Sequence, residues 1–314
     1  MTRDLPTPAQ PLRIGTRGSP LALAQANETR ALLAQAWDLP FEAFEVVIIR
    51  TTGDRVIDRP LSQIGGKGLF TKEIEEALSA GAIDIAVHSM KDMPVEQPPG
   101  LVLDGYLERE DPRDAFVSLS CSAIADLPEG TVVGTSSLRR KSQILARRPD
   151  LEVVEFRGNV QTRLQKLEDK VAEATFLAMA GLNRLGMIDS VPARAIDTED
   201  MLPAIAQGAI GIERRGADSR VAELLEPIHH VETAQRLACE RAFLAALDGS
   251  CQTPIAGLAE IEGGRLRFRG EILRPDGSEV LAEAGETTIA DGPALGRELG
   301  ETLRRIAGPG FFSV

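Results

Sequence analysis

Residues 83–94 of the chain read Ile-Asp-Ile-Ala-Val-His-Ser-Met-Lys-Asp-Met-Pro. The apolar run at 83–87 has the length of a buried strand and stops abruptly in polar and ionisable residues, and Pro94 cannot continue a strand ladder. Because ligands bind at strand ends in open α/β sheets, Lys91 and Asp92 are candidates for chemistry. The carboxylate could pass a proton or stabilise a developing positive charge. The alternative is a solvated ion pair in a loop.

Composition restricts the classes of partner. A chain of 314 residues with 43% hydrophobic and 26% charged residues is expected to form two or three globular domains. Its net charge of −12 argues against a nucleic-acid or anionic-membrane partner, and 4% aromatic residues leave few surfaces for base stacking. Any anion site must therefore be a local basic cluster.

The N-terminus lacks the apolar core of a signal peptide, and no run approaches the ~20 apolar residues of a membrane span. Cys121, Cys239 and Cys251 are odd in number and far apart, which is typical of free thiols in a reducing compartment. No Cys/His spacing resembles a zinc site. We therefore expect a cytoplasmic protein without a bound metal.

Two segments share one pattern. Residues 12–19 and 131–137 each read as a short strand, a Gly-Thr turn and small hydroxyl residues that can cap a following helix. Backbone N–H groups at such helix starts can bind an anion, although an ordinary cap is the alternative for either segment alone. Together the segments predict two domains of like topology, with helix starts facing each other across a cleft.

Other apolar runs alternate with helical patterns, as in α/β sheets with crossover helices. Strands are predicted at 45–49, 83–87, 115–118, 152–156 and 175–178, and helices at 21–37, 71–78, 138–147, 160–168 and 236–247. The last third instead has strand patterns at 255–261, 266–273 and 279–284, with turn signals at Gly263-Gly264 and Pro275-Asp276-Gly277. This predicts an antiparallel meander, which a helix could cover through Leu295, Leu299, Leu303 and Ile306.

Arginine is concentrated in the middle of the chain, at positions 139, 140, 147, 148, 157, 163 and 184. Guanidinium groups bind carboxylates in a bidentate manner, so several of them in one cleft predict a ligand with several carboxylates. Gly158 beside Arg157 would let such a ligand approach closely. For Arg147 and Arg148 a solvated basic face explains the sequence equally well.

Two further motifs contain residue types that could take part in catalysis or ligand binding. Cys251 lies in the predicted turn Gly249-Ser-Cys-Gln-Thr-Pro254, where its thiol could form a covalent bond to a ligand. The alternative is a structural residue, because most free cysteines are small buried hydrophobes. Cys239 falls on the apolar repeat of a helix and is expected to be structural. Residues 64–70 resemble a phosphate loop only superficially, because Gly68 stands where Ser or Thr would bind magnesium. A flexible flap over residues 53–68 is expected instead.

Six motifs, taken in order, resemble the porphobilinogen deaminase (hydroxymethylbilane synthase) family. They are Ile14-Gly-Thr-Arg-Gly-Ser-Pro-Leu-Ala-Leu-Ala-Gln, Gly65-Gly-Lys-Gly-Leu-Phe, Val87-His-Ser-Met-Lys-Asp-Met-Pro, Gly134-Thr-Ser-Ser-Leu-Arg-Arg, Phe156-Arg-Gly-Asn-Val-Gln-Thr-Arg and Ala206-Gln-Gly-Ala-Ile-Gly-Ile-Glu. The resemblance covers about residues 12–257.

The resemblance implies an α/β fold with two periplasmic-binding-protein-like domains and a small C-terminal α+β domain with an antiparallel three-stranded sheet. The implied bounds are 1–107 with 206–227 for domain 1, 108–205 for domain 2 and 228–314 for domain 3. It also implies a transferase of tetrapyrrole (heme/porphyrin) biosynthesis. Such an enzyme joins four porphobilinogen molecules head to tail into hydroxymethylbilane and releases ammonia at each step. We expect a cytoplasmic monomer.

The resemblance also implies site residues. Asp92 matches the catalytic aspartate, and Cys251 matches the cysteine that carries a dipyrromethane cofactor through a thioether. The other positions implied to hold the cofactor are Asp54, Lys91, Thr135, Ser137, Arg139 and Arg140. Those implied to hold the substrate, or to belong to the flap and the helix beyond it, are Arg17, Ser19, Lys67, Phe70, Arg157, Arg163 and Arg184. No metal is implied.

The chain departs from the usual family pattern at three places. Ser250 replaces a glycine before the cofactor cysteine, Gln63 replaces a lysine before the Gly-Gly-Lys, and Glu173-Ala174-Thr175 replaces a Tyr-Asp pair. The first two could alter loop mobility or substrate affinity, but none removes a reacting group. Two rival interpretations are a non-catalytic solute-binding module and a relative that kept the fold and lost the chemistry. His88 is expected to be a hydrogen-bonded structural residue.

Overall fold

The structure of the protein is a computed structural model that describes residues 4–55, 71–249 and 253–312. The strands are β1 (Leu12–Thr16), β2 (Phe44–Ile48), β3 (Ile85–Ser89), β4 (Leu101–Tyr106), β5 (Asp114–Ser118), β6 (Val132–Gly134), β7 (Glu152–Val154), β8 (Ala174–Ala178), β9 (Ala193–Ala195), β10 (Ile210–Arg215), β11 (Ile255–Glu262), β12 (Arg265–Leu273) and β13 (Val280–Thr288). The helices are α1 (Pro20–Trp37), α2 (Thr52–Arg55), α3 (Lys72–Ser79), α4 (Leu138–Arg147), α5 (Val160–Glu168), α6 (Met179–Arg184), α7 (Ser219–Leu225), α8 (Val231–Ala246) and α9 (Gly292–Ala307).

The chain divides into two compact units. Unit 1 comprises Met1–Glu110 and Ala209–Ala234, and unit 2 comprises Asp111–Gly208 and Gln235–Val314. Each of the three domain ranges expected from the sequence contains one sheet. Their division into three domains stays a prediction, because the second and third ranges fall mostly within unit 2.

The sheet of unit 1 has the strand order β2-β1-β3-β10-β4. Strand β1 runs parallel to β2 and β3, whereas β10 is antiparallel to β3 and β4. Buried Ile14, Ile85 and Ile212 pack with Leu33 of α1 in one apolar core. Leu78 of α3 belongs to a second buried cluster of this unit. The sheet is therefore covered by helices, as the crossover pattern predicts.

The five-stranded sheet of unit 2 repeats this topology in the order β7-β6-β8-β5-β9. Here β6 runs parallel to β7 and β8, and β5 is antiparallel to β8 and β9. In both sheets the fourth position holds the antiparallel strand. That strand comes last along the chain in unit 1 (β10) and first in unit 2 (β5). The prediction of two α/β regions of like topology is confirmed.

The three-stranded sheet β11-β12-β13 is antiparallel throughout, as predicted. Its first hairpin turns at Gly263 and Gly264, whose φ angles of 57° and 78° are in the left-handed region that two-residue hairpin turns require. Leu299 and Leu303 of α9 are buried, but Ile306 is 52% exposed, so its assignment to the covering face is wrong. Ile306 lies in the last turn of α9, next to its end at Ala307.

Strands β4, β9 and β10 and helices α2, α6 and α7 were not predicted from the sequence. The predicted end of β3, before His88, is also too early, because polar residues were taken as the end of the strand. In the structure His88 and Ser89 belong to β3, and each side chain has a hydrogen-bond partner. None of the helices within the described ranges is long and apolar enough to cross a membrane.

Helix α9 has a line of three glycines, two of which, Gly296 and Gly300, lie against the backbone of α8. Gly292, Gly296 and Gly300 are spaced four residues apart and therefore share one helix face. A Cβ atom at Gly296 would overlap the carbonyl oxygen of Cys239, and one at Gly300 would lie 2.8 Å from the carbonyl oxygen of Phe243. Because these neighbours are main-chain atoms, a larger residue would have to push the two helices apart.

We expect Gly296→Ala to lower the free energy of unfolding by about 1–3 kcal/mol, the usual cost of overpacking. The sign of this change tests the packing, because without the close contact alanine would stabilise the helix by about 1 kcal/mol relative to glycine. Urea denaturation of the purified chain measures the change. Glu298→Ala, at an exposed position of the same helix, is the matched control and should stay within about 0.5 kcal/mol. A stabilised Gly296→Ala variant would contradict the close backbone approach.

Candidate active site

Asp92 lies in a short turn at the end of β3. The strand ends at Ser89, and a single 3-10 turn, Met90–Asp92, follows it. The Asp92 side chain is half-buried, and no hydrogen bond or ion pair to its carboxylate is found among the residues that the structure describes. Lys91 is half-buried in the same turn. The turn therefore presents a carboxylate that can accept further hydrogen bonds as far as the described residues are concerned.

Buried polar pairs hold the end of β3 in place. His88 Nε2 lies 3.1 Å from Glu213 Oε2 of β10, and both side chains are buried. Ser89 Oγ donates to Gln25 Oε1 of α1 at 2.9 Å. Because His88 and Ser89 point to opposite faces of the sheet, the strand is fixed on both sides immediately before the Asp92 turn.

The expectation that His88 is a hydrogen-bonded structural residue is confirmed, but its partner was not foreseen. The partner is Glu213, which is 125 residues away along the chain. Glu213 lies in a strand that the sequence analysis did not predict.

The centre of the arginine cluster in unit 2 is a buried carboxylate, Asp114, at the first position of β5. Arg139 Nη1 donates to Asp114 Oδ2 at 2.7 Å, and Arg140 Nη2 donates to Asp114 Oδ1 at 2.7 Å. Gln207 Nε2 also donates to Oδ1, at 3.1 Å. Burial alone would raise the pKa of Asp114, but the two guanidinium charges outweigh it and hold that pKa well below its usual range. Asp114 is therefore ionised.

Arg139 and Arg140, expected from the resemblance to hold the cofactor, are themselves buried. Arg140 uses Nε and Nη2 on Asp114 and Nη1 on the carbonyl oxygen of Phe176, at 2.8 Å. Arg139 Nη1 donates to three acceptors, but its Nε is buried without a hydrogen-bond partner among the described residues. An unpaired buried donor of this kind is costly, so the Arg139 Nε–H is suited to an acceptor from outside.

Arg163 of α5 lies beside this pair. Its Nη1 donates to the Phe176 carbonyl oxygen at 3.3 Å, the same atom that accepts from Arg140, and its Nε donates to Gly158 at 3.0 Å. No ion pair to Arg163 is found among the described residues. Burial and the neighbouring charge of Arg140 lower the pKa of Arg163 to about 10. Two guanidinium groups thus pair with the Asp114 carboxylate and a third lies beside them, which leaves a local excess of positive charge.

Hydroxyl side chains cap the two predicted helix starts, as expected. Ser19 Oγ accepts from the N–H of Ala22 at the start of α1, at 3.3 Å. Ser137 Oγ accepts from the N–H of Arg140 at the start of α4, at 3.4 Å. Thr135 Oγ1 accepts from the N–H of Ser137 at 3.2 Å, and so shapes the turn before that helix. The Ser137 cap places Arg139 and Arg140 in the first turn of α4, where they reach Asp114.

The remaining predicted arginines are half-buried: Arg17 between β1 and α1, Arg157 between β7 and α5, and Arg184 at the end of α6. Arg184 Nη1 donates to the carbonyl oxygen of Gly208 at 2.9 Å. The carbonyl oxygen of Arg157 accepts from Lys166 Nζ at 3.0 Å.

Several expected site residues lie outside the described part of the chain: Lys67, Phe70 and Cys251, together with residues 56–68 of the expected flap. The backbone of Asp54 is described, in α2, but its side chain is not. Cys239 is buried, and burial together with the charge of Glu240 raises its pKa to about 12. The prediction that Cys239 is structural is thereby confirmed, since a thiol of that pKa is unreactive at neutral pH.

Two family descriptions match the chain, over the ranges that contain these residues. "Porphobilinogen deaminase, dipyromethane cofactor binding domain" matches residues 12–223, and "Porphobilinogen deaminase, C-terminal domain" matches residues 234–305. The chain belongs to the porphobilinogen deaminase family. Enzymes of this family are also called hydroxymethylbilane synthases.

Relatives within the family are similar over nearly the whole chain. Porphobilinogen deaminase of Paracoccus denitrificans (strain Pd 1222) is 65% identical over 309 residues, which cover 98% of each chain. The chloroplastic porphobilinogen deaminase of Pisum sativum is 56% identical over 308 residues, 96% of this chain and 83% of that relative. Among solved structures, a periplasmic substrate-binding protein of an ABC transporter from Coxiella burnetii is 12% identical with a TM-score of 0.41, over 71% of this chain and 95% of that one.

We expect Asp114→Asn to lower the free energy of unfolding by about 3–5 kcal/mol at neutral pH, because two buried guanidinium groups lose their counter-charge. Since folding lowers the pKa of Asp114, its stabilising contribution is complete above the unfolded pKa of about 3.9 and is lost as the pH falls below it. Urea denaturation at several pH values should therefore show a smaller loss on acidification for the variant than for the wild type.

The matched control for that experiment is Asp189→Asn, an exposed carboxylate in the same unit. This control should leave both the stability and its pH dependence within about 0.5 kcal/mol of the wild type. If Asp114→Asn behaved like the control, the buried ion network would not contribute as we describe.

Proposed function

We propose that the chain joins four porphobilinogen molecules head to tail into hydroxymethylbilane, with release of ammonia at each step, as a transferase of tetrapyrrole biosynthesis. Family membership and 65% identity across the chain support this activity. The structural observation that carries it is the local excess of positive charge around Asp114 in a chain of net charge −12. Each pyrrole unit brings two carboxylates, and such a product needs a concentrated set of basic partners.

The donor set fits a dipyrromethane cofactor, which the family description names. Arg139 has an unpaired buried Nε–H, and Arg163 has no ion pair among the described side chains. Both guanidinium groups could therefore bind carboxylates of a ligand. When bound, dipyrromethane supplies the pyrrole carbon on which the chain grows. We assign its covalent attachment to Cys251, and assign Asp54, Lys91, Thr135, Ser137, Arg139 and Arg140 to its binding.

For the substrate we assign the acetate and propionate groups to Arg17, Ser19, Arg157, Arg163 and Arg184, with Lys67 and Phe70 in the flap region and the helix beyond it. At the start of α1, Ser19 accepts from the N–H of Ala22 and Pro20 has no N–H, so within the described ranges the N–H of Leu21 is the one available to an anion. We also propose that the protein acts as a cytoplasmic monomer.

Asp92 has a different role from the arginines. Loss of ammonia from porphobilinogen leaves a pyrrole-stabilised cation, and a nearby carboxylate lowers the energy of that charge as it develops. The ionised carboxylate also accepts hydrogen bonds from pyrrole N–H groups. Its position after the paired residues His88 and Ser89 limits how far it can move, so little reorganisation is needed during the reaction.

Asp92→Asn should reduce the rate of ammonia release and product formation at least about 100-fold, the scale seen when one preorganised electrostatic group is removed. The variant should remain folded, because no hydrogen bond to the carboxylate is found in the described ranges. Circular dichroism and a coupled turnover assay measure the two effects. Glu96→Gln, an exposed acid close by in the sequence, is the control and should keep full turnover. Wild-type rates in Asp92→Asn would refute the catalytic role.

Intact-protein mass spectrometry tests the cofactor assignment. Freshly purified wild type should carry the added mass of two pyrrole units, and Cys251→Ser should lack it. Cys121→Ser, at a half-buried thiol, should keep the adduct and is the matched control. An unmodified wild type that binds ligands without turning them over would favour the rival solute-binding function.

A further inference from the structure

The arginine cluster is connected to the three-stranded sheet through one buried amide, that of Gln143. Gln143 lies one turn after Arg139 on α4 and is fully buried. Its Oε1 accepts from Arg139 Nη1 at 2.9 Å, and its Nε2 donates to the carbonyl oxygen of Leu202 at 3.0 Å. The amide orientation is therefore set by partners on both sides, and it in turn fixes one acceptor of Arg139.

The second acceptor of the Gln143 Nε2 amide is a carboxylate from the three-stranded sheet. Nε2 lies 2.5 Å from Oε1 of Glu271, which is 6% exposed near the end of β12. This bond favours the same orientation of the amide as the Leu202 carbonyl oxygen does. If the amide rotated by half a turn, two acceptors, Gln143 Oε1 and Glu271 Oε1, would face each other, and Arg139 would face an N–H group. Glu271 thus stabilises the orientation in which Gln143 accepts from Arg139, by a charged acceptor added to the Leu202 carbonyl.

We propose that Glu271 is a positioning residue for the carboxylate-binding site: through Gln143 it fixes the guanidinium group of Arg139. The C-terminal sheet then helps to set the geometry of the arginine cluster. The proposal rests on the proposed function at one point, the binding of a carboxylate of the pyrrole chain by Arg139.

Separate contacts hold the sheet against α4, so Glu271 can be changed without removing the whole interface. Ser142 Oγ donates to the carbonyl oxygen of Pro275 at 3.2 Å. Gly277, with φ of 77°, packs on the backbone of Leu145 and Ala146, where a side chain would not fit. Substitution of Glu271 therefore tests an orienting contact rather than the docking of the sheet.

The first test observes Arg139 directly and needs no activity. In 15N-labelled protein, the Arg139 Nε–Hε signal is assigned through its loss in Arg139→Lys. Glu271→Leu should shift this signal and speed its exchange with water, and Gln143→Leu should do the same. Glu271→Gln, which keeps an acceptor oxygen, should restore the wild-type signal. Glu262→Leu, at an exposed site on the same sheet, is the control and should leave it unchanged. An unchanged signal in Glu271→Leu would overturn the proposal.

The second test uses steady-state kinetics of the cofactor-loaded enzyme. Glu271→Leu should lower kcat/KM for porphobilinogen about tenfold, on the scale of substitutions behind a ligating residue, because Arg139 is assigned to the cofactor that receives the substrate. The double variant Gln143→Leu/Glu271→Leu should be no worse than either single variant, because both act through one contact. Additive effects, or a kcat/KM equal to that of Glu262→Leu, would overturn the proposal.

Two unfavourable outcomes, an unfolded variant and an inactive wild type, would still leave the role of Glu271 testable. If Glu271→Leu does not fold, Glu271→Asp replaces it, because it keeps the charge and shortens the side chain beyond reach of Gln143. If the wild type has neither adduct nor turnover, the proposed function fails, while the Arg139 signal still decides whether Glu271 positions that residue.

Discussion

The buried charge network around Asp114 is the interaction on which the chemistry of unit 2 depends. A lone carboxylate or guanidinium group at that depth would be strongly destabilising. Two arginines and one aspartate satisfy each other's charges in large part, and Gln207 fills a further position on the carboxylate. The network therefore permits positive charge to be held where water is largely absent, and where its effect on a bound anion is greatest.

The positive charges of this network are not all paired with carboxylates. Arg163 shares the Phe176 carbonyl oxygen with Arg140 but has no carboxylate of its own in the described part of the chain. Unit 1 has the opposite arrangement, because Asp92 is a carboxylate without a described cationic partner. Among its described residues, each unit thus leaves one kind of charge available.

The local features of the site could be predicted from sequence, because their causes are local. Ser19 and Ser137 cap the helices that follow them within a few residues, and the hairpin glycines adopt the left-handed conformations their turns require. Pairing across the fold could not be predicted. Asp114 and Glu213 were both missed, since their partners lie 25 or more residues away and nothing in the neighbouring sequence identifies them. The polar end of β3 was misjudged for the same reason.

The position of β10 has a consequence for the order in which the protein can be assembled. Strand β4 pairs within its sheet only with β10, and β10 follows about a hundred residues later in the sequence, after all of β5–β9. During synthesis from the N-terminus, the second sheet can be completed while the first still lacks its fourth strand and His88 still lacks Glu213. The five-stranded sheet that is begun first is therefore completed after the one that is begun second, and its unpaired strand edges need protection in the meantime.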